Sequence, residues 1–335
     1  MNNDNFHQIS VIIPVHNNLP LLENTIKSLM SQSFRDFELI IVDDGSNDNS
    51  SKVASEILKN SGIDFQLFQQ VNSGVSVARN KGLMNAKGKF IYFLDGDDWI
   101  ESNCLEELHK CIIETKSNLV TCGFDYRTPE GKILKRFDER FVYPDSSMTG
   151  EEYAALLLLA KTWAPTGGIL WDKSFLDKTK IKYTPGAFKG QDVEFTLKNI
   201  SKASKVSVVK KTLTHYVIYD NGRHDKVYFR RFHSLGCMLR LEKYLIKTSS
   251  NSYLIKLVTS RTIPLEYLIA SNFLIETGFS IKTLSTIIKK NYIQKRLSLV
   301  SIKEMSIKQY FAIKLLTHFP KLYSKLYKLY RLSKK

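Results

Sequence analysis

Acidic residues are the scarce charged class here. The 335 residues hold 33 Asp and Glu against 49 Lys and Arg, a net charge of +16. Cysteine is scarce too. Cys104, Cys111, Cys122 and Cys237 form no CxxC pair and no metal-ligand spacing. That excludes a disulfide scaffold or a zinc-finger type of site and predicts reduced thiols in a cytosolic protein. No apolar run reaches the roughly 18 residues of a membrane span. The opening MNNDNFHQIS lacks a basic stretch followed by an apolar one, so no secretory signal is expected. Neither an internal repeat nor a low-complexity linker is present.

With 43% hydrophobic residues the chain has enough apolar side chains for a sizeable core. Its positive charge is unevenly placed. Residues 221–335 carry 23 Lys and Arg against 5 Asp and Glu, whereas residues 1–220 carry 26 against 28. Two regions are expected on this ground, 1–220 and 221–335. The second is basic enough to meet an anionic partner such as a membrane surface or a nucleic acid.

The first region alternates strand and helix. Ser10-Val11-Ile12-Ile13-Pro14 reads as a strand, and Leu22, Ile26 and Leu29 recur at helical spacing up to about Ser31. Phe37 to Val42 is a second buried strand ending in Asp43-Asp44-Gly45-Ser46, with a helix holding Val53, Ile57 and Leu58 after it. Phe65 to Phe68 is a third strand. Asn72-Ser73-Gly74 then precedes a helix from about Val75 to Asn85, and Phe90 to Leu94 is a fourth strand. Such alternation predicts an α/β fold with a mostly parallel sheet, which binds ligands beyond the carboxyl ends of its strands. Further on, a helix over Leu105–Ile113, strands at Leu119–Phe124, Val206–Val209 and Leu213–Ile218, and helices near Tyr153–Ala160 and after Gly190 are expected. Beyond Asn221-Gly222-Arg223 the pattern becomes helices broken near Pro264, Gly278 and Pro320.

Three strand ends carry polar signatures: Pro14 to Asn17, Asp43 to Ser46, and Asp95-Gly96-Asp97-Asp98. The last delivers three carboxylates within four positions. Mg²⁺ or Mn²⁺ takes oxygen ligands and is usually held by one or two carboxylates plus substrate phosphates. Gly96 would let a phosphate approach the backbone closely. Singly, each of these loops also reads as a turn or helix cap.

Taken together these blocks resemble the family 2 glycosyltransferases of the GT-A fold. The resemblance rests on Val11 to Asn17, Ser31-Gln32-Ser33-Phe34 leading to Phe37–Ser46, Gly74 with Ala78-Arg79-Asn80-Lys81-Gly82, Phe93–Asp98 and Gly190-Gln191-Asp192-Val193-Glu194-Phe195. It is strong over about 9–110, fair to about 218 and absent as motif beyond. It implies a metal-dependent inverting transfer from a nucleotide-sugar, UDP-linked, to a glycan or lipid-linked acceptor in bacterial surface-polysaccharide assembly. Pro14, Val15 and Asp44 match positions that hold the nucleobase. Gly74, Arg79, Asp95 and Gly96 match the donor-binding segment, Asp97 with Asp95 the metal ligands, and Asp192 the catalytic base. Such transfer needs a base for the acceptor hydroxyl and charge stabilisation for the leaving diphosphate. The alternative for Asp192 is an acid favoured by the dipole at a helix start.

The chain departs from the family pattern at Gln191, where glutamate is common, which removes a like charge beside Asp192 and would alter acceptor contacts. His16 and its neighbours stand where an aromatic is frequent. His215 is read either as a third metal ligand or as a hydrogen-bonded structural residue. Trp163 and Trp171 flank a glycine-rich segment and would either stack on a sugar or fill the core. A nucleotidyltransferase would instead need a Gly- and Lys-bearing loop after the first strand. A donor-binding but non-catalytic module of a synthase complex stays open through Gln191.

At the C-terminal end Lys321, Lys325 and Lys328 align on a helix opposite a broad face of Leu322, Leu326 and Leu329 with Tyr323, Tyr327 and Tyr330. Two readings follow: an interfacial helix at the inner face of the cell membrane, or a helix packed on its own protein, possible in an oligomer, with a solvated basic side. No nucleic-acid-binding pattern is present.

Overall fold

The computed structural model describes residues 7–144, 147–218 and 231–333. The opening residues 1–6 and the expected break at Asn221-Gly222-Arg223 lie outside the described residues. The chain divides into two compact units. One comprises residues 1–186 with 195–223, the other 187–194 with 224–335.

In the first unit, strands β1 (Ile9–Val15), β2 (Phe37–Asp43), β3 (Asp64–Gln69) and β4 (Phe90–Phe93) are joined by helices α1 (Leu19–Met30), α2 (Ser50–Leu58) and α3 (Val75–Asn85). β1, β2 and β4 are apolar at almost every position and buried throughout, as strands covered on both faces must be. They pair in parallel in the order β3-β2-β1-β4. Helix α1 buries Leu22, Ile26 and Leu29 in the same core. Asn18, at the N-cap position, makes no side-chain capping bond. Asp48 from the loop before α2 takes the Leu19 N–H instead, at 3.0 Å.

The rest of the sheet is antiparallel in part. After β5 (Trp99–Ile100) and α4 (Cys104–Thr115) come β6 (Leu119–Arg127), β7 (Ile133–Lys135) and α5 (Gly150–Leu158). These are followed by β8 (Ile169–Asp172), α6 (Lys173–Thr179), α7 (Gln191–Ile200) and β9 (Val206–Val217). β8 runs antiparallel between β4 and β6, and β5 pairs antiparallel with β9. Neither β8 nor β5 is foreseen from the sequence, because four and two residues are too short to show a period. The two strands expected at 206–209 and 213–218 form one. β9 stays parallel to β6 throughout, and the interruption is absorbed as register shifts around Gly123.

The amino end of the sheet is held by a buried carboxylate. Glu38, 2% exposed, accepts from Ser10 Oγ (2.6 Å), the Lys87 N–H (2.8 Å), the Gly88 N–H (3.2 Å) and Gln66 Nε2 (3.1 Å). It thereby fixes the entry to β4 against β1 and β2.

The second unit is helical: α8 (Arg231–Thr248), α9 (Ser252–Leu257), α10 (Ile263–Glu276), α11 (Ile281–Ile288), α12 (Asn291–Ser298), α13 (Ile307–His318) and α14 (Pro320–Leu332). Gly278, at φ +82°, ends α10, and Pro320 opens α14, as the sequence suggests. Near Pro264 the chain does not break. A π-helical turn, Val258–Thr262, carries α9 into α10 directly ahead of the proline, and this wider turn is where the helix absorbs the ring and the missing N–H.

Removing the Glu38 carboxylate strands several buried donors. Glu38→Ala is expected to lower stability by about 2–4 kcal/mol in urea unfolding. Glu38→Gln, which keeps one acceptor oxygen, is expected to lose less. Equal losses would show that the network does not depend on acceptor capacity.

Candidate functional site

The parallel register sets three strand ends level. Val15 lies opposite Asp43, Pro14 opposite Val42, and Ile12 opposite Phe93. Beyond that line the loops tie to one another: the Asp44 N–H donates to Val15 O (2.8 Å) and the Gln70 N–H to Asp43 O (2.9 Å). Asn17, at φ +52°, donates its N–H to Ser46 Oγ (3.0 Å) and accepts from the Asn47 N–H (2.9 Å).

Asp44 is 3% exposed and organises the loop after β3. Its Oδ1 accepts from Gln70 Nε2 (2.8 Å) and the Ser73 N–H (2.7 Å), and its Oδ2 from the Gly74 N–H (2.8 Å). Gly74 holds φ +90° with open space where a side chain would be, so glycine is required by its backbone angle and not by crowding. A carboxylate offers about four acceptor positions, so Asp44 keeps capacity for one further donor.

From α3, Arg79 reaches the end of β4. Its side chain is 4% exposed and donates Nη2 to Asp95 Oδ1. The guanidinium carbon lies 5.1 Å from the centre of the Tyr183 ring, a cation–π placement. Tyr183 is fixed in turn by Asn80, which donates Nδ2 to Tyr183 O (2.8 Å) and accepts the Tyr183 N–H (2.9 Å). Tyr183 also stacks on Phe195, with ring centres 4.0 Å apart. The sequence singles out Arg79 but gives no sign of Tyr183, which lies 104 residues further along.

At Gly96 a Cβ would stand 3.0 Å from Asn18 Nδ2 and 3.3 Å from Pro14 O, so the loop packs closely on the end of β1 there. Asp98, 6% exposed, anchors the same loop. Its Oδ1 accepts the Val217 N–H (3.0 Å) and its carbonyl accepts from Thr25 Oγ1 (2.7 Å). Burial, with the carboxylates of Asp97 and Asp95 close by, holds the Asp98 carboxyl well above the usual range.

His215 sits on β9 opposite Trp99, 1% exposed. Its Nδ1 bonds Asp125 and its Nε2 lies 2.9 Å from Glu101 Oε1. Arg127 donates Nε to both Asp125 oxygens, at 3.0 and 3.1 Å. Burial opposes the charge on Asp125, but the bonds from His215 and Arg127 outweigh it and hold the carboxyl below its ordinary range. Both ring nitrogens of His215 are thus engaged by carboxylates. Trp163 packs against Phe124, Phe137 and Phe141, and Trp171 is buried with its ring against Phe195.

Gln191 and Asp192 open α7. They belong to the segment 187–194 of the second unit, where Glu194 is held by Arg240 through Nε at 3.0 and 3.1 Å and Nη2 at 2.7 Å. By itself the first unit therefore gathers Pro14, Val15, Asp44, Gly74, Arg79, Asp95, Gly96 and Asp97.

Among the described residues no three His, Cys, Asp or Glu side chains converge as a metal cage. Mg²⁺ and Mn²⁺ do not require one when substrate phosphates complete the shell. Asp95 spends Oδ1 on Arg79 and its side chain keeps 29% exposure; with Asp97 two positions along, it offers the hard oxygen donors such an ion takes. The residues fit.

A sheet of this order, mixed in direction and flanked by helices, with loops gathered at the carboxyl ends of β1, β2 and β4, defines a GT-A fold. Staphylococcus aureus TarS residues 1–349, solved with UDP-GlcNAc, superposes with a TM-score of 0.74 over 97% of this chain and 92% of that one, at 17% identity. The mannosyltransferase PcManGT from Pyrobaculum calidifontis, solved with GDP-Man and Mn²⁺, gives 0.56 over 98% and 88%, at 15% identity. Residues 10–169 match the model of glycosyl transferase family 2, and that region is a domain of this family. Among curated relatives, the cholesterol galactosyltransferase of Borreliella burgdorferi is 33% identical over 61% of this chain and 58% of its own length. The poly(ribitol-phosphate) beta-N-acetylglucosaminyltransferase TarP of Staphylococcus aureus is 28% identical over 66% of each. The matches thus span less than two thirds of the length of these relatives.

Asp125→Asn breaks a buried charge cluster and is expected to cost about 2–4 kcal/mol near neutral pH. Because the folded carboxyl is held low, that stabilisation is present above the ordinary Asp value and fades as pH falls through the folded one. Urea unfolding of both proteins between about pH 7 and pH 3 should therefore show the difference narrowing with acid. A difference independent of pH would rule the cluster out as its source.

Proposed function

We propose that this chain is an inverting glycosyltransferase that moves a sugar from a nucleotide-sugar donor, UDP-linked, to a glycan or lipid-linked glycan at the inner face of the cell membrane. One observation carries the reading. Asp44, Arg79, Asp95 and Asp97 follow strand ends that the parallel register sets level, with the buried Asp44 carboxylate at one end and the Arg79–Asp95 pair at the other. The first two named relatives, a galactosyltransferase and an N-acetylglucosaminyltransferase, support the reaction class, and the neighbours solved with UDP-GlcNAc and GDP-Man support the donor class.

In this reading Pro14, Val15 and Asp44 hold the base, and the Ser73–Gly74 turn is kept in place by the same carboxylate. Arg79, buried and backed by Tyr183, holds Asp95 in one position and adds positive charge beside the diphosphate. Asp95 and Asp97 would hold Mn²⁺ or Mg²⁺, which when bound neutralises charge on the departing diphosphate. Asp192 takes the proton of the acceptor hydroxyl as its oxygen attacks the anomeric carbon. The bond from that carbon to the phosphate oxygen breaks, and the nucleoside diphosphate leaves with the electron pair. Gln191 beside the base contacts the acceptor.

The test is release of nucleoside diphosphate from a panel of UDP-, GDP- and dTDP-sugars with acceptor glycan present. Asp192→Asn is expected to lose about 10²–10⁴-fold in turnover while still binding donor. Asp97→Ala is expected to lose metal-dependent donor binding as well. Donor binding without turnover, indifferent to Asp192→Asn, would instead assign the chain to a non-catalytic module.

A further inference from the structure

Tyr330 of α14 is 44% exposed, but Tyr323 and Tyr327 do not share the outward side of its leucines. Tyr323 is buried and donates to Asn272 Oδ1 (2.6 Å), Tyr327 donates to Glu276, and Arg331 Nε lies 3.1 Å from Glu276 Oε1. These bonds turn the tyrosine side of α14 onto α10. The leucine side faces outward: Leu322, Leu326 and Leu329, spaced to share one side of a helix, are exposed by 48%, 48% and 63%. α13 adds Ile307 and Phe311, and the connection adds Phe319, all at least 60% exposed. Lys308 lies over the Tyr330 ring, 5.2 Å from its centre, so the first turn of α13 stands beside the last turns of α14. Both helices pack on α10, and their exposed rows adjoin on the side away from it.

The charge carried by α13 and α14 themselves has one sign. Residues 305–335 contain eight Lys and Arg and no Asp or Glu. Among the described residues only Arg331 of these pairs with a carboxylate. Lys321, Lys325 and Lys328 border the leucine row. A like copy of the same face would bring lysine against lysine, which opposes a symmetric contact. A nucleic acid would match the lysines but offers phosphates and base edges, with no apolar layer for a row of leucines. An anionic bilayer matches both parts, lysines at headgroup phosphates and aliphatic side chains at the acyl boundary. No described helix is long and apolar enough to cross a membrane, so the fitting mode is lying on its surface.

We propose that the outer face of α13 and α14 docks on an anionic phospholipid bilayer. The membrane location proposed above gives this face a use, but the face is read from the second unit alone. The test is flotation of the full chain with vesicles of phosphatidylcholine containing about 30 mol% phosphatidylglycerol, against phosphatidylcholine alone. Two variants accompany it, Leu322→Ser with Leu326→Ser and Leu329→Ser, and Lys321→Glu with Lys325→Glu and Lys328→Glu. Binding to anionic vesicles is expected to fall about tenfold or more in neutral vesicles and in each variant. The leucine variant should unfold at the same temperature as the parent, since the replaced side chains are already solvent-exposed. Absence of binding to anionic vesicles, or full binding by the leucine variant, overturns the proposal. So does an oligomer that the leucine substitutions dissociate while vesicle binding is unchanged, which would assign the face to a second copy. RNA binding without vesicle binding overturns it too. UDP-sugar titration of the same proteins separates the two readings: loss of donor binding with intact flotation strikes the transferase and leaves the docking face standing.

Discussion

Parallel pairing of β1 with β2 on one side and β4 on the other is the constraint on which the candidate site depends. It brings Val15 level with Asp43 and Ile12 level with Phe93, so that three loops leave the sheet along one line. Every strand in that arrangement is buried on both faces and reads as an apolar run, and a slip of register would drive buried side chains into the covering helices. The polar residues appear only where the strands stop. Asp44 then converts strand ends into a fixed surface: three donors from residues 70–74 end on its carboxylate, so the loop after β3 has one conformation before any ligand arrives. Preorganised donors and acceptors of this kind avoid an ordering cost at the time of binding.

The Asp95–Asp98 loop is held from several sides. Arg79 takes Asp95, Pro14 and Asn18 crowd Gly96, and Thr25 and Val217 take the two ends of Asp98. Beyond it, Trp99 pairs with His215, whose ring is clamped between Asp125 and Glu101. A loop fixed at so many points presents Asp97 from a rigid base. Rigid support of this sort is what a site for a small octahedral cation and a diphosphate requires, because such ions tolerate little error in ligand position.

How much of this is legible in the sequence follows from how local each signal is. β1, β2 and β4 announce themselves as β-branched and aromatic runs, and the carboxylates that end two of them are adjacent in the chain. The family resemblance picks out Arg79 and Gly74 as well. What the sequence does not carry are partners far along the chain. Tyr183 behind Arg79, Glu101 and Asp125 around His215, and Val217 on Asp98 are separated from their partners by 90 residues or more. β8 and β5 are too short to show a period, and β9 hides its continuity because it carries the extra residues of the irregularity, between Val209 and Thr214. At the C-terminal end the helical wheel of α14 places Leu and Tyr on one broad face. It cannot say that Asn272 and Glu276 will draw Tyr323 and Tyr327 inward and leave the leucines outside.

The central claim is that the edge formed by β1, β2 and β4 holds a nucleoside diphosphate. A crystal structure of the chain with UDP and Mn²⁺ tests it most directly. The account predicts the uracil N–H on Asp44, the ribose beside the end of β1, and the diphosphate and ion at Asp95 and Asp97, with the Arg79–Tyr183 contact intact. Density for UDP elsewhere on the chain, or UDP bound at this edge with the ion away from both aspartates, would contradict it.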